Sequence, residues 1–282
     1  MAVQIIIDSA ADITPAQANE LGVIHLPLKV LFGSEEFEDA VTLSHSEFYE
    51  KLIESDVLPT TCQIPPADFE EAYEALRLRQ DTAVVITLSG KLSGTFQSAM
   101  IAAEEHHSRI HVVDSESVSL GQRLLVFRAV ELRRQGFSAA EIAAQLNEEK
   151  KKIKVLALLD TLEYLKKGGR ISKATALAGA MLNIKPVITL KDGEVTMVGK
   201  ARGSKQGNNL LRELVANCGG INFSLPYCLA YSGLSDSLLQ KYIADSADLL
   251  DGCTDHLPIA TVGCVIGTHV GPGAIAIAFF QN

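Results

Sequence analysis

Three side chains stand out by type and setting: Thr61, Ser93 and His269. Each has glycine or proline close by in a segment read as a strand-end loop, and such loops carry function more often than the elements they join. Ser93 belongs to SGKLSGTFQS, residues 89–98, directly behind the apolar run 82–88. Ser93-Gly94-Thr95 is therefore predicted where a strand ends and a helix begins. Small residues there allow close backbone approach, and the free N–H groups of a helix start favour an anion. His269 lies in Thr268-His269-Val270-Gly271-Pro272-Gly273, between two further apolar runs. Hydroxyls donate hydrogen bonds without charge and an imidazole donates with tunable charge, a set that suits a carboxylate. The plainer alternative is that Thr61 and Ser93 only cap helices or satisfy backbone groups.

A serine and a histidine also admit a nucleophilic hydrolase. In Gly90-Lys91-Leu92-Ser93-Gly94 the glycine stands three residues before the serine, whereas a nucleophile elbow needs it two before. Asp8, Asp12 or Asp114 could orient a base, and nothing selects among them. Nucleotide motifs are missing: Leu165-Lys166-Lys167-Gly168-Gly169-Arg170 is not a P-loop, and residues 8–12 hold no glycine-rich turn. Lys166, Lys167, Arg170 and Lys173 form one basic patch, and Lys200, Arg202 and Lys205 a second. Such patches are either solvated faces or docking surfaces for a partner or phosphate, the latter suited to arginine.

The elements that must position these groups alternate in type. Strands are predicted at 3–7, 23–32, 82–88 and 110–113, with a turn at 33–39 and an extended segment at 58–66. Helices open at Thr14-Pro15 and at Ser44, where Glu47 completes capping-box spacing, and follow over 67–79, from Ser93 to Glu105, and over 121–135 and 139–152. Strands alternating with helices of this length imply a mainly parallel sheet covered on both faces, whose ligands bind beyond the carboxyl ends of the strands. After the charge run 148–154 the pattern changes. Strands at 155–159, 184–190, 194–201, 227–231, 259–266 and 274–280 surround helices at 173–182, 206–218 and 235–247, and Asp192-Gly193 marks a hairpin. The fold class is α/β with two domains: residues 1–150 with a mainly parallel sheet, and residues 151–282 with a mixed sheet. The small apolar stretches 174–182 and 273–280 either pack layers closely or line a slot for an apolar tail.

Composition narrows the class. The chain has 282 residues, 47% hydrophobic, with a formal net charge of −9. That length favours two domains, and the charge argues against an open nucleic-acid surface. No apolar run reaches membrane-spanning length, and the start carries no basic leader, so a cytoplasmic protein is expected. Five cysteines show no metal-ligand or disulfide spacing, so free thiols and no metal are expected.

Ordered motifs along the whole chain carry a resemblance. They are Ile7-Asp8-Ser9 with Asp12, Pro59-Thr60-Thr61-Cys62-Gln63, Leu92-Ser93-Gly94-Thr95-Phe96-Gln97-Ser98-Ala99 and Val113-Asp114-Ser115. The run LEYLKKGGRI over 162–171, Leu182-Asn183-Ile184-Lys185-Pro186 and the segment 268–273 complete them. On these the chain is identified as a member of the DegV family of bacterial lipid-binding proteins, and it is similar to the acyl-binding subunit of fatty acid kinase. The resemblance implies a long-chain fatty acid in a buried tunnel and a separate ATP-dependent kinase subunit that converts it to acyl phosphate for phospholipid synthesis. It implies no cofactor, a non-catalytic role for this chain, no nucleic acid and transient membrane contact. By motif, Thr61, Ser93 and His269, with Thr95 and Thr268, would hold the carboxylate, and Arg170 and Arg202 would face the partner or phosphate. The family's usual Thr-Ser-Gln-Pro-Ser is here Thr61-Cys62-Gln63-Ile64-Pro65-Pro66, which moves the first proline by one residue. A stand-alone acyl hydrolase using Ser93 and His269, and a fatty-acid sensor without a kinase, are the alternatives.

Overall fold

A computed structural model describes residues 2–106, 108–171, 183–250 and 256–282, and their strands sort into three sheets. The first part of the chain carries β1 (Val3–Asp8), α1 (Pro15–Leu21), β2 (Ile24–Leu26), β3 (Lys29–Phe32), β4 (Glu35–Glu38), α2 (His45–Glu54) and β5 (Thr60–Cys62). It continues through α3 (Pro66–Leu78), β6 (Thr82–Thr87), α4 (Thr95–Ala103), β7 (Ile110–Asp114), α5 (Leu120–Arg134) and α6 (Ala139–Glu149). The second part holds β8 (Ile153–Leu158), α7 (Glu163–Lys167), β9 (Ile184–Lys191), β10 (Glu194–Arg202) and α8 (Ser204–Asn217). It closes with β11 (Tyr227–Tyr231), α9 (Ser237–Asp245), β12 (Ile259–Thr261), α10 (Cys264–Val270) and β13 (Ile275–Phe280).

The architecture is a two-domain α/β fold. An all-parallel sheet in the order β2-β1-β6-β7 is flanked by helices. Its central strands are unbroken apolar runs because both faces are covered. Ile6, Ala83 and Val85 pack with Phe69 and Tyr73 of α3, while Ile5, Ile7, Val84 and Ile86 pack with Leu125 of α5 and Ile142 of α6. The second domain is a mixed six-stranded sheet, β10-β9-β8-β13-β11-β12, antiparallel except for the β11–β12 pair. Between the two sheets lies α5, which packs on β1 and β6 of one and on β8, β11 and β13 of the other. Its buried residues combine Leu124, Leu125, Val126, Ala129 and Val130 with the polar Gln122, Arg123 and Arg128. Its buried Arg128 is held by both Glu149 carboxylate oxygens at 2.8 Å.

Local chemistry accounts for the termini. Thr14, Ser44 and Ser138 each cap a helix in a reciprocal capping box. Asp192 (φ 51°) and Gly193 (φ 81°) make the predicted tight turn between β9 and β10.

Three expectations are corrected. Residues 23–32 are not one strand: the chain breaks around Pro27, which cannot donate to a ladder, so that β2 joins the parallel sheet and β3 leaves it. Residues 33–39 are more than a turn. Gly33 (φ 61°) turns the chain and β4 pairs back on β3, giving a three-stranded antiparallel sheet in the order β4-β3-β5. The apolar run 259–266 is a strand only to Thr261, and α10 starts at Cys264. The first N–H groups of α10 are taken by carboxylates from far away, Gly263 N–H by Asp12 at 2.8 Å and Cys264 N–H by Asp39 at 3.0 Å. The predicted helix 173–182, with its small apolar stretch, lies outside the described residues.

Candidate functional site

A cavity of about 180 Å³ lies between the sheets, lined mostly by apolar side chains. The first domain contributes Leu28, Leu88 and Val118, and the second Ile188, Val195 and Ile266. The volume is roughly ten times what one water occupies by the same measure. Among the described residues, five polar side chains reach the lining: Thr61, Gln63, Ser93, Arg170 and His269.

These five meet in one part of the wall. Thr61 enters from β5, in register with Val30 of β3. Its hydroxyl is 3.0 Å from His269 Nε2, which lies at the far end of α10. His269 is therefore on a helix, and Thr61 on a short strand, instead of both lying in strand-end loops. Ser93 stands just before α4, at the strand-to-helix junction the sequence predicts. The Arg170 guanidinium donates to the carbonyls of Leu92 (3.3 Å) and Gly168 (2.6 Å), which fixes it one residue from Ser93. Gln63 donates to Ser98 at 3.1 Å and fills the space beside Gly94, where an added Cβ would come within 2.0 Å of its Oε1.

Glycine makes the imidazole's place. A Cβ on Gly168 would stand 2.3 Å from His269 Nδ1, although the Gly168 backbone is ordinary (φ −73°), so this glycine supplies room and not conformational freedom. Burial, and then the Arg170 guanidinium, push the His269 pKa down to about 4. The ring is thus neutral near pH 7, with one nitrogen to donate and one to accept. Its Nε2 faces Thr61, and its buried Nδ1 has no partner among the described residues.

The remaining predicted residues lie elsewhere. Thr95 is fully buried behind Ser93, its hydroxyl 3.0 Å from the Ser93 hydroxyl, and supports that side chain without lining the cavity. Thr268 turns its hydroxyl back to the Cys264 carbonyl at 2.9 Å, inside α10. Arg202 is exposed at the end of β10 and does not line the cavity. Gln63 and the apolar walls from β9, β10 and α10 are lining residues that sequence reasoning does not single out. The signal for Gln63 is Gly94, whose missing side chain leaves the space its amide fills.

Among the described residues Ser93 and His269 are not joined in a hydrolytic triad. Ser93 bonds Thr95, whereas His269 bonds Thr61. The candidate acids are engaged elsewhere: Asp8 with Leu88 N–H and Gln122, Asp12 with Gly263 N–H and Ser119, and Asp114 with Gly90 N–H. Among the described residues no helix is long and apolar enough to cross a membrane.

A two-domain α/β chain with an apolar chamber between its sheets, edged by hydroxyls and one neutral imidazole, is the class that fold and site define. Residues 2–282 match the model of an uncharacterised protein family, DegV. A DegV domain-containing protein of Deinococcus radiodurans is 35% identical over 283 residues, spanning 99% of this chain and 98% of its own. Among solved structures, a DegV family protein from Thermus thermophilus described for its fatty acid binding has TM-score 0.87 at 32% identity over 100% of both chains. DegV of Bacillus subtilis, described as a fatty acid binding protein, has TM-score 0.83 at 30% identity, again over 100% of both chains. The chain belongs to the DegV family.

Proposed function

We propose that this protein binds a long-chain fatty acid in the cavity and presents its carboxylate to a separate ATP-dependent kinase in the cytoplasm. The observation that carries the reading is the pairing of an apolar chamber with Thr61, Ser93 and His269, whose Nδ1 has no partner among the described residues, at one part of its wall. In this reading residues 1–150 supply the hydroxyls, and residues 151–282 close the chamber and supply His269 and Arg170.

The energetics favour such a ligand. About fourteen methylenes at about 0.8 kcal/mol each give roughly 11 kcal/mol of gross transfer energy. Ordering the chain takes back several kcal/mol. Tail burial dominates, and the head contacts chiefly prevent the cost of an unpaired buried carboxylate. His269 donates from a neutral ring, so it can hold a carboxylate without being charged itself.

A fatty carboxylate is already ionised near pH 7, so no general base is required. What the chain supplies is position, together with the positive charge of Arg170. A carboxylate oxygen would attack the γ-phosphorus of ATP held by the partner, forming the acyl–phosphate bond as ADP leaves. Arg170 serves the partner or the phosphate, with Arg202 on an outer docking face. Transient contact with a membrane would deliver and collect the lipid.

Denaturing mass spectrometry of lipid extracted from the purified protein tests the binding step. An aliphatic acid in about equimolar amount is expected, and its absence after incubation with palmitate would overturn the reading. Incubation of the loaded protein with a fatty acid kinase subunit and ATP tests the second step, for which acyl phosphate is expected. A bound acid that is never phosphorylated would leave a sensor or carrier without a kinase.

A further inference from the structure

The second concentration of reactive side chains lies away from the cavity, where the loop before α2 meets the start of α10. Asp39, His45 and Cys264 bring a carboxylate oxygen, an imidazole nitrogen and a thiol sulfur within 4.8 Å of one another. Asp39 is 1% exposed and Cys264 is fully buried. Asp12 adjoins them: a Cβ on Gly263 would stand 2.9 Å from Asp12 Oδ1, 3.0 Å from His45 Nε2 and 3.4 Å from Asp39 Oδ1. The missing side chain of Gly263 is what allows these groups to converge.

Part of this arrangement has a structural purpose, since Asp12 and Asp39 accept the first N–H groups of α10. Helix capping does not account for His45 or Cys264. His45 is half-buried at the first position of α2, and no hydrogen bond joins it to any described residue. The Cys264 sulfur reaches the Leu43 and Ser44 carbonyls at 3.5 and 3.9 Å, with the Asp39 carboxylate and the Ala40 backbone also beside it. Two buried carboxylates, an imidazole and a thiol thus face one another, while the Arg123 guanidinium donates to the Asp12 carbonyl. A divalent cation would draw the oxygen, nitrogen and sulfur donors together.

We propose that Asp39, His45 and Cys264 form a binding site for a divalent cation of the zinc class. Mixed oxygen, nitrogen and sulfur donors suit zinc, which sits about 2.0–2.3 Å from such ligands. Ligand atoms around it are then under about 4 Å apart, so modest side-chain adjustment closes the set. His45 also lines an open pocket of about 380 Å³ with Thr14, Ser44 and Thr261, which gives the ion access and leaves a coordination position for water. Binding would deprotonate the thiol and release its proton. The site would tie the loop carrying Asp39 to the helix carrying His269, and it stands independently of any lipid. Sequence spacing cannot reveal it, because the ligands come from residues 39, 45 and 264.

The purified full-length protein is equilibrated with zinc chloride and desalted, and the retained metal is counted by plasma mass spectrometry. One zinc per chain is expected. With cobalt(II) in its place, a thiolate-to-metal absorption band should appear, and Cys264→Ser should abolish it. His45→Ala and Cys264→Ser should each weaken zinc affinity more than about tenfold in chelator competition. His45 is only partly buried and makes no hydrogen bond to a described residue, so its variant keeps the test valid if Cys264→Ser fails to fold. No retained zinc, or zinc retained equally by wild type and His45→Ala, would overturn the proposal.

Discussion

Thr61 Oγ1 and His269 Nε2 are 3.0 Å apart across 208 residues of sequence. The bond joins the small antiparallel sheet of the first domain to the last helix of the chain. It also sets the imidazole so that its other, buried nitrogen has no partner among the described residues.

Replacing Thr61 by valine keeps the shape and removes the hydroxyl. Fatty-acid affinity should fall about five- to thirtyfold, the worth of about 1–2 kcal/mol for a lost buried hydrogen bond. Equilibrium titration with a fluorescent fatty acid measures it, and unchanged affinity would remove Thr61 from the head-group site.

Gly168→Ala puts a methyl group 2.3 Å from His269 Nδ1. The ring must move, at a cost of about 1–3 kcal/mol for overpacking. Ligand affinity should drop with His269 displaced, and the double variant Gly168→Ala/His269→Ala should bind no more weakly than His269→Ala alone. Additive losses would refute the coupling.

Charge reversal at Arg170 should leave lipid retention intact and slow phosphorylation by the kinase partner more than tenfold. Arg170 lines the cavity, so if Arg170→Glu is instead purified without lipid, the guanidinium holds the carboxylate itself and does not act only toward the partner.

His269 gains its proton only near pH 4 when folded, against 6.5 for a free imidazole. Between those values the unfolded chain binds more protons. Stability from this group is therefore complete above about pH 6.5 and is lost as pH falls toward 4, by up to about 3 kcal/mol. In delipidated protein, His269→Gln should lose less stability than wild type between pH 7 and 4.5 in urea denaturation. Asp8 and Asp12, pushed up to about 7 by burial, have the opposite slope: their contribution is greatest below about 3.8 and declines as pH rises through 7. Both proteins carry them, so they cancel in the comparison. Identical profiles would mean that the imidazole is solvated.

Local signals were legible where the physics is local. Thr14 and Ser44 cap the helices that follow them, and Asp192-Gly193 turns a hairpin, because each answers to partners within a few residues. Ser93 falls at a strand-to-helix junction for the same reason. The stretch around 259–270 resisted. An apolar run buried on all sides has no periodicity to separate strand from helix, and α10 is capped by Asp12 and Asp39, more than two hundred residues away. The role of Gly168 is hidden likewise, since nothing near it in sequence announces that His269 needs its space. The cavity walls come from strands whose inward faces are set only when the two sheets face each other.

Helix α5 has a bearing on how a ligand enters. It is wedged against both sheets, and its middle residues Leu124 and Ala129 are wholly shielded from solvent. Prising the halves apart like a hinged shell would strip that helix of one of its two supports and wet most of its length. On the proposed reading, exchange of a greasy guest would therefore go through a small local displacement at the rim, with the spine of the molecule left standing.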